Sequence, residues 1–135
     1  LGVRINYIND GDVSAAISVA VQKSNIDIYI GTGGAPEGVL AAAALNCLEC
    51  QMQTRLVFED KNQKNKAIEL GIKDLNKKYY IEDMVKGDVI FCATGITDGD
   101  LVKGIKVHGD TFQSETFVLH KSSKINKIIK NQLNK

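Results

Sequence analysis

Apolar positions along this chain come in short runs, and their spacing switches between a period of two and one near 3.6. Residues 3–8 (Val-Arg-Ile-Asn-Tyr-Ile) and 26–30 (Ile-Asp-Ile-Tyr-Ile) alternate apolar with polar, the pattern of strands. A glycine-containing turn follows each, and then a helical run: residues 13 to about 23 after the first, and the apolar run 39–45, extending to about Cys50, after the second. Residues 52–58 read as a strand with polar breaks, and 61–72 as a charged helix with Asp60 as its cap. The run 88–93 (Asp-Val-Ile-Phe-Cys-Ala) reads as a buried strand ending at Thr94-Gly95. Residues 101–108 and 111–119 flank Gly109-Asp110, which is hairpin chemistry. The early βαβαβ order predicts parallel pairing, and the later segments add antiparallel strands. The expected fold class is therefore α/β, a mixed β-sheet flanked by helices, as one domain over residues 1–135.

Composition narrows the picture. A chain of 135 residues with 44% hydrophobic residues can build one real core. Its formal net charge of +1 argues against nucleic-acid binding by bulk electrostatics. Only the end is lopsided: Lys121, Lys124, Lys127, Lys130 and Lys135 all follow the last acidic residue, Glu115. Ile125, Ile128, Ile129 and Leu133 recur there at helical spacing after Ser122 and Ser123, so a basic surface helix is expected over about 122–135. No apolar run approaches the ~20 residues of a membrane-spanning helix, so no membrane partner is expected. The cysteines are Cys47, Cys50 and Cys92. The pair Cys47-x-x-Cys50 closes a helical run instead of opening one, and no second such pair completes a zinc site. Unpaired thiols in a reducing cytoplasm are the expectation, with His108 and His120 as surface or structural residues.

Sites in open α/β sheets gather at the carboxyl ends of strands, and three turns fit: 10–12 (Asp-Gly-Asp), 31–37 (Gly-Thr-Gly-Gly-Ala-Pro-Glu) and 94–98. They offer carboxylates, hydroxyls and backbone N–H groups but no lysine or arginine. Asp10 and Asp12 could simply cap a helix. Glu37 could simply complement a helix dipole, worth ~0.3–1 kcal/mol. A dinucleotide site is the rival reading of Gly31-x-Gly33, with Glu59 as the ribose acid. Pro36 stands at the third glycine position, however, and Glu37 would face the pyrophosphate.

Taken in order, the turn 31–39, the alanine-rich helix, Met52-Gln53-x-Arg55-Leu56 and Ala93-Thr94-Gly95-Ile96-Thr97-Asp98-Gly99 closely resemble class II fructose-1,6-bisphosphatases, the GlpX type. The segment Asp10-Gly11-Asp12 falls where that family has its own Asp-Gly-Asp. The resemblance covers the family's C-terminal part. It implies half of a carbohydrate-phosphatase fold, with the missing N-terminal half supplying most metal ligands and the basic grip on phosphate. Residue by residue, Glu37 matches a metal-binding glutamate, Gly34 a backbone contact to the sugar phosphate, and Asp10, Gly11 and Asp12 a segment that contacts substrate. Mg²⁺ or Mn²⁺ would be the cofactor and a sugar bisphosphate the substrate. The whole enzyme would act in gluconeogenesis on the 1-phosphate of fructose 1,6-bisphosphate, with sedoheptulose 1,7-bisphosphate as a further candidate. The isolated chain is expected to be inactive, with no catalytic residue of its own, and prone to homo-oligomerise through its uncovered face. A non-catalytic sugar-phosphate-binding regulatory domain is the alternative of another class. Glu49, Cys50 and Thr54 stand where the family pattern has glycines, a departure that touches turn geometry and packing.

Overall fold

The computed structural model describes residues 2–9, 11–21 and 24–134. It is an α/β arrangement of four helices and two sheets among those residues. Helix α1 (Asp12–Ser18) is followed by α2 (Ala35–Cys47), strand β1 (Gln53–Arg55) and α3 (Lys61–Glu69). Strand β2 (Lys78–Tyr80) runs into the short α4 (Ile81–Met84), and β3 (Ile90–Thr94), β4 (Lys106–His108), β5 (Thr111–His120) and β6 (Ile125–Asn134) complete the order. Among the described residues strand β1 pairs only with β2. In the larger sheet β5 is central: β6 lies along its whole length, while β3 and β4 share its other edge.

Both sheets pair antiparallel throughout, so the parallel pairs expected from the early βαβ order are not formed among the described residues. The reason lies in residues 3–8 and 26–30. They run without helix or strand, and apart from the half-buried Ile26 and Tyr29 their apolar side chains stand in solvent: Ile5 is 66%, Tyr7 89% and Ile30 91% exposed. Strand propensity needs a neighbouring edge to pair with, and no described strand lies alongside either run.

The tail is the second correction. The expected helix over 122–135 is instead a four-residue turn and strand β6. Ile125, Ile129 and Leu133 are four apart, which fits a helical stripe, but four is also an even number, and in a strand they share one face. There they oppose His120, Thr116 and Phe112 of β5, while Ile128 turns to the other face against Phe117. A ten-residue partner and β-branched side chains decide the outcome.

Other expected elements form with changed bounds. Strand β3, expected as a buried strand over 88–93, spans Ile90–Thr94 with only Phe91 buried. Ile90, Cys92 and Thr94 are exposed, because a single face of the sheet is covered. The hairpin forms around Gly109-Asp110, with Gly109 at φ 59° and Val107 opposite Phe112. Asp60 caps α3, its carboxylate accepting the Gln63 N–H at 2.8 Å. That helix stops at Glu69 because Gly71 turns left-handed (φ 94°) and passes the Ile72 N–H back to the Ala67 carbonyl.

The core lies where α1 and α2 cover one face of the larger sheet. Ile17, Ala44, Phe91, Phe117 and Leu119 are buried together there. A second cluster of Ala42, Leu45 and Ile81 fixes α2 against α4. Alanines on both flanks of α2 let it sit between the two clusters, so its position is tightly set. The opposite sheet face bears Ile90, Val107 and Leu133, which are 66%, 57% and 67% exposed.

Candidate functional site

The turn before α1 and the turn before α2 meet. Gly11 takes a left-handed conformation (φ 86°, ψ 37°) as the N-cap of α1, so Asp12 becomes the first helical residue. The Ser14 hydroxyl donates to the Gly11 carbonyl at 2.8 Å and fastens the bend. Gly34 is the N-cap of α2, with Pro36 in the first turn and Glu37 as its acidic residue.

Across the gap, the Tyr29 hydroxyl donates to Asp12 Oδ1 at 3.3 Å. Burial, foremost, and then the Asp12 charge push the Tyr29 phenol above its ordinary value, which keeps it a donor. The two central glycines of the second turn are close approaches. A Cβ on Gly33 would run into the Asp12 carboxylate, and one on Gly34 into the Glu37 carboxylate. Consecutive glycines thus bring two acids, one from the start of α1 and one from the start of α2, to one short stretch of backbone. Gly11, Asp12, Gly34 and Glu37 are therefore assembled at one place, and Asp10 lies outside the described residues.

The third turn does not lend its acid. Asp98 accepts the Gly104 N–H at 2.9 Å and pairs with Lys106 Nζ at 2.7 Å, so it staples its own loop. Those contacts, the Lys106 bond first, hold its carboxyl below the usual range. The cysteines are free. Cys47 donates to the Val89 carbonyl at 3.5 Å, and burial pushes its thiol up, the opposite of a reactive thiolate.

Asp12 and Glu37 are hard oxygen donors of the kind Mg²⁺ or Mn²⁺ takes. In kind they fit such an ion; in number they do not close its shell. Among the described residues no group of three or more His, Cys, Asp or Glu side chains could hold a metal. No helix of the described residues is long and apolar enough to cross a membrane.

Two features had no sequence signal. Tyr29 reads as a strand residue, and nothing in its spacing links it to Asp12. A second polar cluster joins Asp88, His120, Ser122 and Ser123 across 32 to 34 residues of sequence.

The fold is thus an α/β domain in which the turns leading into α1 and α2 bring two carboxylates to one glycine pair. The family profile described as bacterial fructose-1,6-bisphosphatase, glpX-encoded, matches residues 1–133, and the chain belongs to that family. A Synechococcus sp. (strain JA-2-3B'a(2-13)) protein named D-fructose 1,6-bisphosphatase class 2/sedoheptulose 1,7-bisphosphatase is 38% identical over 136 residues, covering 91% of this chain and 39% of that protein. The fructose-1,6-bisphosphatase class 2 of Haemophilus influenzae (strain ATCC 51907 / DSM 11121 / KW20 / Rd) is 39% identical over 95% of this chain and 43% of its own length. The Gloeobacter violaceus (strain ATCC 29082 / PCC 7421) protein, named as the Synechococcus one is, is 35% identical over 90% of this chain and 39% of its own. The chain thus spans about two fifths of the length of these relatives.

Proposed function

We propose that this chain is one wall of a divalent-metal-dependent, cytoplasmic sugar-bisphosphate phosphatase. It would serve hydrolysis of the 1-phosphate of fructose 1,6-bisphosphate in gluconeogenesis, with sedoheptulose 1,7-bisphosphate as a second substrate. The observation that carries the reading is the convergence of Asp12 and Glu37 on Gly33-Gly34, in a chain of this family.

Each residue has a role suited to its chemistry. Asp12, with Asp10 and Gly11 beside it, accepts hydrogen bonds from sugar hydroxyls and repels phosphate, so it orients the ring with its phosphates directed away. Gly34 is the backbone contact to the sugar phosphate, and its missing Cβ leaves room for the Glu37 carboxylate beside it. Glu37 Oε atoms are the metal ligand from this wall. A bound Mg²⁺ or Mn²⁺ would supply charge neutralisation at the scissile phosphate and a lowered pKa for the attacking water.

One or two carboxylates cannot fill an octahedral shell, and the turns hold no cation for phosphate. On this reading the other ligands and the basic groups come from outside this chain, which spans about two fifths of its relatives' length. The exposed runs 3–8 and 26–30 support the same division, because each ends at a site turn and each lacks a strand neighbour. Those apolar surfaces also favour self-association of the chain alone.

Calorimetry tests the reading. Titrating the chain with fructose 1,6-bisphosphate, with and without Mn²⁺, is expected to give no saturable heat below millimolar concentration. Micromolar, metal-independent binding would replace the enzyme wall with a stand-alone sugar-phosphate sensor.

A further inference from the structure

Away from the two site turns, the end of β5 and the turn into β6 gather a carboxylate, an imidazole and two hydroxyls. Asp88, just ahead of β3, is saturated with donors. Its Oδ1 accepts the Val89 N–H at 3.0 Å and the Ser122 N–H at 3.1 Å. Its Oδ2 accepts the Ser122 hydroxyl at 2.8 Å and lies 2.8 Å from His120 Nε2. A carboxylate so placed is ionised, so the imidazole nitrogen facing it carries the proton. Ser122 Oγ lies 3.2 Å from the same Nε2, but both groups donate to Asp88 and neither accepts from the other. The tautomer is thereby fixed, and the lone pair of neutral His120 sits on Nδ1. That atom is 2.5 Å from Ser123 Oγ. The order is carboxylate, imidazole, hydroxyl, with each in hydrogen-bond reach of the next, the arrangement that activates a serine.

We propose that Ser123 is a nucleophile activated by His120 and Asp88, a covalent acylation site on the β5–β6 turn that takes small activated acyl esters. Ser123 Oγ attacks the ester carbonyl carbon and the new C–O bond forms as the bond to the leaving alkoxide or phenoxide breaks. His120 Nδ1 takes the hydroxyl proton and passes it to the departing oxygen. Asp88 stabilises the imidazolium formed between the two transfers. The turn is open to solvent, Ser122 and Ser123 being exposed, so a small ester can reach it. No set of oxyanion donors surrounds the hydroxyl among the described contacts, and the product is a stable acyl-serine with no turnover.

The elements meeting at this turn carry few other titratable groups. Cys47 on α2 donates to the Val89 carbonyl, Lys121 lies in the turn, and Glu49 after α2 pairs with Lys124 at 3.4 Å. Cysteine and lysine also react with esters, so the modified atom must be located by mass spectrometry.

The test is incubation of the chain with p-nitrophenyl acetate, followed by peptide mapping. Acetyl is expected on Ser123 at least tenfold faster than on any other serine. His120→Gln should lower that rate at least tenfold, by the usual worth of a positioned base. Asp88→Asn should lower it too, by releasing the tautomer. Labelling of Ser123 no faster than of other serines overturns the proposal. That comparison is made in the unaltered chain and needs no variant to fold, and a His120→Gln chain that keeps its circular dichroism and its Ser123 rate overturns the proposal as well.

Discussion

Glu49 shows how a single residue carries both sequence and structure. Helices α2 and α3 end the same way: Cys50 N–H returns to the Leu45 carbonyl as Ile72 N–H returns to that of Ala67. The left-handed position is Gly71 in one and Glu49, at φ 57°, in the other. A non-glycine residue there costs ~1–2 kcal/mol. The exposed Glu49–Lys124 pair recovers little of that. Glu49→Gly should therefore raise stability by about 1 kcal/mol in urea unfolding, and an unchanged midpoint would show that the strain is absorbed elsewhere. The sequence already marked Glu49 as a departure where a glycine belongs, and the backbone explains why.

Asp88 was not legible at all, because its partners lie more than thirty residues on. The Ser122 hydroxyl first, and then His120, lower its carboxyl to about 2. Its unfolded value is ~4, so its stabilisation is present above about pH 4 and is lost as pH falls from there toward 2. Asp88→Asn should melt below the unaltered chain at pH 7, with the gap closing as pH approaches 2. A gap that stays constant would mean that the charge on Asp88 is not what the turn uses.

At the scale of elements, local chemistry was readable and pairing was not. The Asp60 cap, the Gly109-Asp110 hairpin and the Pro36 helix start all follow from residue types at fixed offsets. The tail misleads because its spacing of four suits both a helix and a strand, and the ten-residue β5 alongside it together with the β-branched isoleucines decides between them. Runs 3–8 and 26–30 carry strand propensity with no described partner, so the parallel sheet they imply is not formed. The β5 assignment has a direct consequence in the core. Leu119 is fully buried among Ile17, Ala44, Phe91 and Phe117, so Leu119→Ala should cost roughly 2–5 kcal/mol. Its outward neighbour Val118 faces away from that cluster and should cost distinctly less as alanine, as urea unfolding of the two variants would read. Equal losses would contradict the face assignment.

At the scale of the whole molecule, the candidate site gathers acids in turns that hold no lysine or arginine. Two turns separated by a helix in sequence meet at Gly33-Gly34, with Tyr29 clasping Asp12. The turns themselves were legible as site candidates, because glycine, proline and a first-turn acid carry their own backbone logic. Their convergence was not, since it depends on side chains reaching across two units. The chain spans about two fifths of its relatives' length, and the proposed reading makes it one wall of such a site. The decisive measurement is phosphate release from fructose 1,6-bisphosphate with Mn²⁺, comparing this chain alone with the same chain joined to the remaining part of a relative. The account predicts no release above the blank from the 135-residue chain. From the joined protein it predicts activity that Glu37→Gln lowers at least a hundredfold. Release by the chain alone, or a joined enzyme indifferent to Glu37→Gln, would contradict it.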